Sequence, residues 1–432
     1  MFGAAAAVAA PPNGVHQTNS SPDKASVTAG STTAPDLNLD VSALGDASSV
    51  SATTYASADS QADSAPADSS VSVDNLQVSG NAAIQAQAGG NSEEIASPQG
   101  GDLQATQSTA ATISAQVQIG AKAGAAQSFG GTAQVSSAAF GNLASFDAAS
   151  GQITAGIGQT NAGQVQSSVT IANTAFDGPL TGATTAAGNE IDLDHSAAAA
   201  AGQIGELSTS QANAAAQSAS LGLTDVQTNA AANSYAVSAV GNVLNAGDLV
   251  VGAAITQTNA GPQTAQALLN QASLNGDFVV QAVGNQVVLA NNGAIGLHQQ
   301  NAANQLAEVV SNAGLVLNGA TSIKAVALGN NFEGALAPGQ LAGQDQQFNS
   351  GFQTASIDLN GASAPGDGPI SMTATAIGNA ATLSAPDPGF VQANYDGALS
   401  PQAATVTLSN STFSSGVSVS TTAQGNVVII RH

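Results

Sequence analysis

The amino-acid sequence predicts an all-β protein, a repetitive β-solenoid of about 47-residue units with two half-units each, behind a disordered acidic N-terminal leader. Three observations predict it. A Gly-Asn pair returns as Gly141-Asn142, Gly188-Asn189, Gly241-Asn242, Gly284-Asn285, Gly329-Asn330, Gly378-Asn379 and Gly425-Asn426, at intervals of 43 to 53 residues. Midway through the intervals stands a second mark, a Gln one or two positions before an Asn: Gln159-Thr160-Asn161, Gln211-Ala212-Asn213, Gln257-Thr258-Asn259, Gln300-Asn301, Gln347-Phe348-Asn349 and Gln392-Ala393-Asn394. The third is composition: with 3% aromatic and 7% charged residues, any core must be thin and built of Ala, Val, Ile and Leu. Strands stacked about 4.8 Å apart allow such a core and let Asn and Gln amides form ladders.

At the N-terminus, Met1-Phe2-Gly3 followed by Ala4 to Ala10 is a short apolar run without a basic flank, read either as a signal-sequence remnant or as an Ala-rich tail. Residues 1–74 are rich in Ser, Ala, Thr and Asp, as in Ser57-Ala58-Asp59-Ser60. Such a segment buries too little apolar surface to offset its ordering entropy, so it is predicted to be a disordered leader, with Leu37-Asn38-Leu39-Asp40-Val41 as its one strand candidate. Residues 75–130 form a transition or degenerate first repeat, in which Gly80-Asn81 is the candidate corner.

Residues 131–432 form the array. Each half-unit of about 23 residues has room for two short strands and two turns. Alternation in Ser371-Met372-Thr373-Ala374-Thr375-Ala376-Ile377 and Val417-Ser418-Val419-Ser420 fits strands with one apolar face, and Gly-Asn soon after them is a turn signal. Gln227-Thr228-Asn229 is an extra copy of the second mark in the longest interval. The runs Ala197 to Ala201 and Thr264 to Leu269 have helix propensity, but Gly and Asn interrupt nearly every such run before about 12 residues, so strands are favoured. The turn and ladder positions predicted from both marks are Asn142, Asn161, Asn189, Asn213, Asn242, Asn259, Asn285, Asn301, Asn330, Asn349, Asn379, Asn394 and Asn426.

Four Lys plus Arg against 27 Asp plus Glu give a formal charge of −23, which argues against nucleic acid and anionic lipid as partners, since both need a basic surface. With no Cys there is no disulfide framework and no thiolate metal site. No apolar run approaches the roughly 20 residues of a spanning helix, so the chain is not read as integral to a membrane.

Candidate chemistry is sparse. Glu190, Asp192 and Asp194 would share one strand face and offer hard oxygens to Ca²⁺, but the cluster occurs in one repeat and reads more simply as a solvated strand face. Gly156-Ile157-Gly158 fits neither phosphate-loop spacing and aligns with repeat turn chemistry. His16, His195, His298 and His432 are scattered, and no Gly-x-Ser-x-Gly elbow is present. No cofactor, catalytic residue or metal site is expected. The alternative is a β-helical polysaccharide hydrolase or lyase, yet the chain has no Trp, three Tyr and four dispersed basic residues with which to build a sugar cleft.

The marks Gln159-Thr160-Asn161-Ala162-Gly163 and Gln257-Thr258-Asn259-Ala260-Gly261-Pro262-Gln263, with their later Gln, resemble the strand-turn-strand repeats of curlin-type surface proteins. The Ala-rich, Cys-free acidic chain is also similar to the holdfast-anchoring proteins of stalked bacteria. That resemblance implies export through a curli-type outer-membrane pore, residence at the cell surface and attachment of adhesive exopolysaccharide to the envelope. Exposed strand edges at the array ends, notably Val427-Val428-Ile429-Ile430, favour pairing with itself or with other surface-anchor proteins. The function expected is thus a non-enzymatic cell-surface anchor or adhesin.

Overall fold

The computed structural model describes residues 16–51, 55–97, 100–120, 127–148, 152–195, 203–230, 232–336, 345–366, 368–383, 390–394 and 401–430. Among them the chain is a β-solenoid whose strands belong to one continuous sheet and pair in parallel. Each coil has three strands in chain order, named here face 1, face 2 and face 3. Gln152–Asn161, Val165–Phe176 and Leu180–His195 form one such coil. The described coils begin with His16–Asn19 on face 1 and close with Val417–Ile430 on face 3.

Side chains alternate in and out along each strand, as in Val165–Phe176. On face 3 the alternation breaks once. In Ala133–Ala148, Ala133, Val135, Ser137 and Ala139 point inward, then Gly141 and Asn142 both do, then Ala144 and Phe146. Two consecutive inward residues bend the strand, and the bend divides the interior in two. The first half of face 3 packs on face 2, where Ala139, Ala186, Val169, Ile171, Leu221 and Leu223 lie in one apolar column. The second half packs on face 1 of the following coil, where Phe146, Ile191, Leu193, Ile153, Ile157 and Ile204 lie in another. Each column is filled by the inward side chains of the facing strands alone. That is why Ala, Val, Ile and Leu suffice, helped by stacked rings at Phe129–Phe176 (5.0 Å) and Tyr235–Phe278 (4.2 Å).

A third corner lies on face 2, where one residue in each coil from the second on takes the left-handed conformation: Asn75, Gly120, Asn173, Asp225, Gln271, Gly314, Gly361 or Asn410. Asn, Asp and Gly tolerate that region best, which explains most of these identities.

The N-terminal boundary differs from the sequence expectation. The described residues within 1–74, read as a disordered leader, run as strands, and Leu37–Ser51 pairs along its length with Ala82–Ala96. Residues 75–130 are likewise ordinary coils where described. The reason is that composition measures one segment, whereas burial in a solenoid is supplied by the coil above. Val71, Val73, Leu76 and Val78 are covered by neighbours roughly 45 residues away along the chain. The helix candidate Thr264 to Leu269 lies within the strand Gln263–Asn270. The run Ala197 to Ala201 and the N-terminal apolar run lie outside the described residues.

Candidate functional site

The most distinctive chemistry is a wall of amide side chains between the two apolar columns. At the face 3 bend, each Asn donates Nδ2 to the Oδ1 of the Asn one coil on: Asn91 to Asn142 (2.6 Å), Asn142 to Asn189 (2.7 Å), Asn189 to Asn242 (2.8 Å), Asn242 to Asn285 (2.7 Å), Asn285 to Asn330 (2.7 Å), Asn330 to Asn379 (2.7 Å) and Asn379 to Asn426 (2.8 Å). The second Nδ2 hydrogen crosses the wall. Asn142 donates to the Thr160 carbonyl, Asn242 to that of Thr258 and Asn285 to that of Gln300.

The glycine before each of these residues is a steric requirement. A Cβ on Gly141 would lie 2.4 Å from the Gly188 carbonyl oxygen and 2.6 Å from Asn161 Oδ1. Gly188, Gly241, Gly284 and Gly329 meet the same two kinds of neighbour.

At the end of face 1 a second ladder runs Asn161 to Asn213 (2.9 Å), Asn213 to Asn259 (2.8 Å), Asn259 to Asn301 (2.7 Å) and Asn301 to Asn349 (2.6 Å). Its members also cap the turn that follows, as when Asn161 Nδ2 donates to the Gly163 carbonyl. Asn394 stands in backbone register with Asn349, and its side chain lies outside the described residues.

Two positions earlier a glutamine ladder runs with opposite polarity. Gln107 donates to Gln61, Gln159 to Gln107, Gln211 to Gln159, Gln257 to Gln211, Gln299 to Gln257 and Gln347 to Gln299, all at 2.7–2.9 Å. Each also holds the residue after a bend Asn, as Gln159 Nε2 does with the Glu190 carbonyl at 2.8 Å. A further ladder opens face 2: Gln263 donates to Gln217, Gln305 to Gln263, Gln353 to Gln305 and Gln402 to Gln353. Primary amides serve here because each has two donors and an acceptor with two lone pairs, and so joins two coils and a carbonyl without charge.

Several of these positions were not marked in the sequence. Asn91 is the bend residue, not Asn81, which lies exposed and accepts from the Thr132 amide. The spacing of 51 residues to Asn142 was available as a signal. Gln299 is buried in the ladder while Gln300 is exposed. Asn229 joins no ladder and donates to Asp177 on the outside. The Gln217, Gln263, Gln305, Gln353 and Gln402 column was legible as a Gln four residues after the turn Asn in four of its five members.

Of the Glu190-Asp192-Asp194 cluster, Ile191 and Leu193 point inward and Asp192 outward. Burial against the outer side of the bend, with the Asp192 carboxylate beside it, pushes Glu190 up to about 7. Ile157 of Gly156-Ile157-Gly158 is a core residue of a face 1 strand. Among the described residues no group of three or more His, Asp or Glu side chains is placed to hold a metal ion. No helix there is long and apolar enough to cross a membrane.

No curated protein and no solved structure matches the chain. A family model described as Holdfast attachment protein D matches residues 22–306 and 316–431. It takes in the first coils as well as the later ones, in keeping with a solenoid that starts well before residue 131. The chain therefore belongs to the holdfast attachment protein D family, whose name places it among cell-surface attachment proteins.

Proposed function

We propose that the chain is a non-enzymatic anchor associated with the outer membrane, that it holds adhesive exopolysaccharide to the bacterial envelope, and that it joins copies of itself or other anchor proteins through open strand edges. The observation that carries this reading is the unbroken amide wall from Asn91 to Asn426. It ties coil to coil into a rod with nearly equivalent outer faces, suited to many weak contacts instead of one reaction centre.

The ends support the self-association. Val417–Ile430 leaves Val419, Val428 and Ile429 nearly half exposed, and an open parallel strand is a template for another. Laid against Leu37–Ser51 of a second copy, it would repeat the internal register. Val417 would face Leu37, Ala423 would face Ala43, and Gly425-Asn426 would face Gly45-Asp46. Gln392-Ala393-Asn394 would likewise come opposite Gln17-Thr18-Asn19.

The experiment is a coil deletion. Removing residues 242–284 joins equivalent positions, and is expected to leave surface display intact while weakening retention of exopolysaccharide by degrees. Loss of function on Asp192→Asn alone, with fold and surface display intact, would favour the polysaccharide-active enzyme instead.

A further inference from the structure

The first two coils break the pattern of the wall in one consistent way: carboxyls stand where later coils have amides or apolar groups. Asp46 is in register with Asn91, so it occupies the position that should donate to Asn91 Oδ1. That oxygen is wholly buried and has no donor, and Asp46 Oδ2 has no partner either. Asp63 takes the place of the turn Asn on face 1. Its Oδ2 is also buried without a partner, and it approaches Gly45 as Asn161 approaches Gly141. Glu93 stands where the next coils place Ala144 and Ile191, with its side chain buried, and faces Asp59, which stands where later coils place Ala105 and Ile157.

We propose that these two coils form a proton-operated closure, in which proton uptake by Asp46, Asp63 and the Asp59–Glu93 pair completes the wall and tightens this end of the solenoid. A proton from solvent on Asp46 converts a carboxylate that only accepts into an O–H that donates to Asn91 Oδ1, the bond every later coil makes with an amide. A proton on Glu93 or Asp59 lets that pair share one hydrogen bond in place of two facing charges.

Among the described residues the groups around the cluster give no counter-charge. Face 2 contributes Asp23, which adds repulsion at both Asp46 and Asp63. Lys24 is exposed and pairs outward with Asp68 at 3.4 Å, and His16 and Glu94 are exposed. Face 1 of the third coil contributes Thr109, which is neutral.

Burial first, then Asp46 and Asp23, push Asp63 up to about 6 from 3.8. Burial, then Asp59, pushes Glu93 up to about 9 from 4.5, and burial also raises Asp46. Carboxyls raised on folding bind more protons folded than unfolded. Their coils are therefore most stable below the unfolded values near pH 4 and lose stability as pH rises through about 6 and on to about 9.

The test is hydrogen exchange on the full chain in chelator-treated buffer at pH 5 and pH 8, corrected for intrinsic rates, with residues 234–301 as internal reference. Protection across residues 16–97 is expected to be at least about tenfold greater at pH 5, the factor that Asp63 alone supplies. Asp46→Asn with Asp63→Asn and Glu93→Gln is expected to hold high protection at both pH values. Equal protection of the wild-type chain at the two pH values would overturn the proposal, and that comparison needs no variant. So would full protection at pH 8 on adding Ca²⁺, which would make the cluster a cation site.

Discussion

Asn142 donates its Nδ2 to Asn189 Oδ1 at 2.7 Å although 47 residues separate them along the chain. The same bond recurs at separations of 53, 43, 45 and 49 residues. Coil length therefore varies while the ladder position does not. Extra residues go into the connections, because a shift of one residue along a strand would turn every inward side chain outward.

Replacing Asn285 by Leu removes an acceptor for Asn242 and a donor to both Asn330 and the Gln300 carbonyl. The stranded groups stay buried, so a loss of about 2–5 kcal/mol is expected. Chemical denaturation of the variant against the wild type measures it.

At Gly284, alanine would place a Cβ 2.4 Å from the Gly329 carbonyl oxygen and 2.5 Å from Asn301 Oδ1. Both belong to the wall and neither can retreat without breaking a ladder. Gly284→Ala is expected to lower the melting temperature by more than Gly416→Ala, where a Cβ meets nothing within 4 Å.

Val283 is wholly buried in a small outer cluster with Val240 and Val243, whereas Ile377 at the equivalent site nearer the end is only partly buried. Val283→Asp is expected to cost several kcal/mol, because its carboxylate has no partner there. Ile377→Asp is expected to cost clearly less, and equilibrium unfolding of the pair ranks them.

Glu190 is held near 7, above its ordinary 4.5, by burial and then by Asp192. A raised carboxyl favours the folded state at low pH and loses that contribution as pH climbs from about 4.5 through 7. Glu190→Gln is therefore expected to melt higher than the wild type at pH 8, with the gap narrowing towards pH 4. A gap that widened in acid would show that the carboxylate has a stabilising partner instead.

How far the sequence discloses this molecule depends on which physical constraint acts at each position. Gly-Asn was visible at seven bends because the bend admits no Cβ and the ladder needs an amide, so residue identity is pinned. Asn91 was obscured by Gly89-Gly90 before it and by a longer coil after it. The first coils were hidden for a different reason. Asp46, Asp63 and Glu93 replace residues of the wall and its neighbouring core, and Ser and Ala fill most outer positions, so the segment has the composition of a disordered chain while its register supplies the burial. The Gln ladders fell between the two cases, since Gln is common throughout and only strand phase separates buried Gln299 from exposed Gln300.

Parallel in-register stacking is the claim on which everything else rests, and cysteine cross-linking tests it directly because the native chain has no cysteine to compete. Ser238 and Gln281 are strand partners one coil apart, and Gln281 is in turn the partner of Val326. Neighbouring parallel strands lie about 4.8 Å apart, within the roughly 4.4–6.8 Å that a disulfide spans, while two coils are too far. Under mild oxidation, Ser238→Cys with Gln281→Cys should form a disulfide nearly completely, and Ser238→Cys with Val326→Cys should form none within a chain. Efficient closure of the second pair, or failure of the first in a folded protein, would contradict the solenoid register.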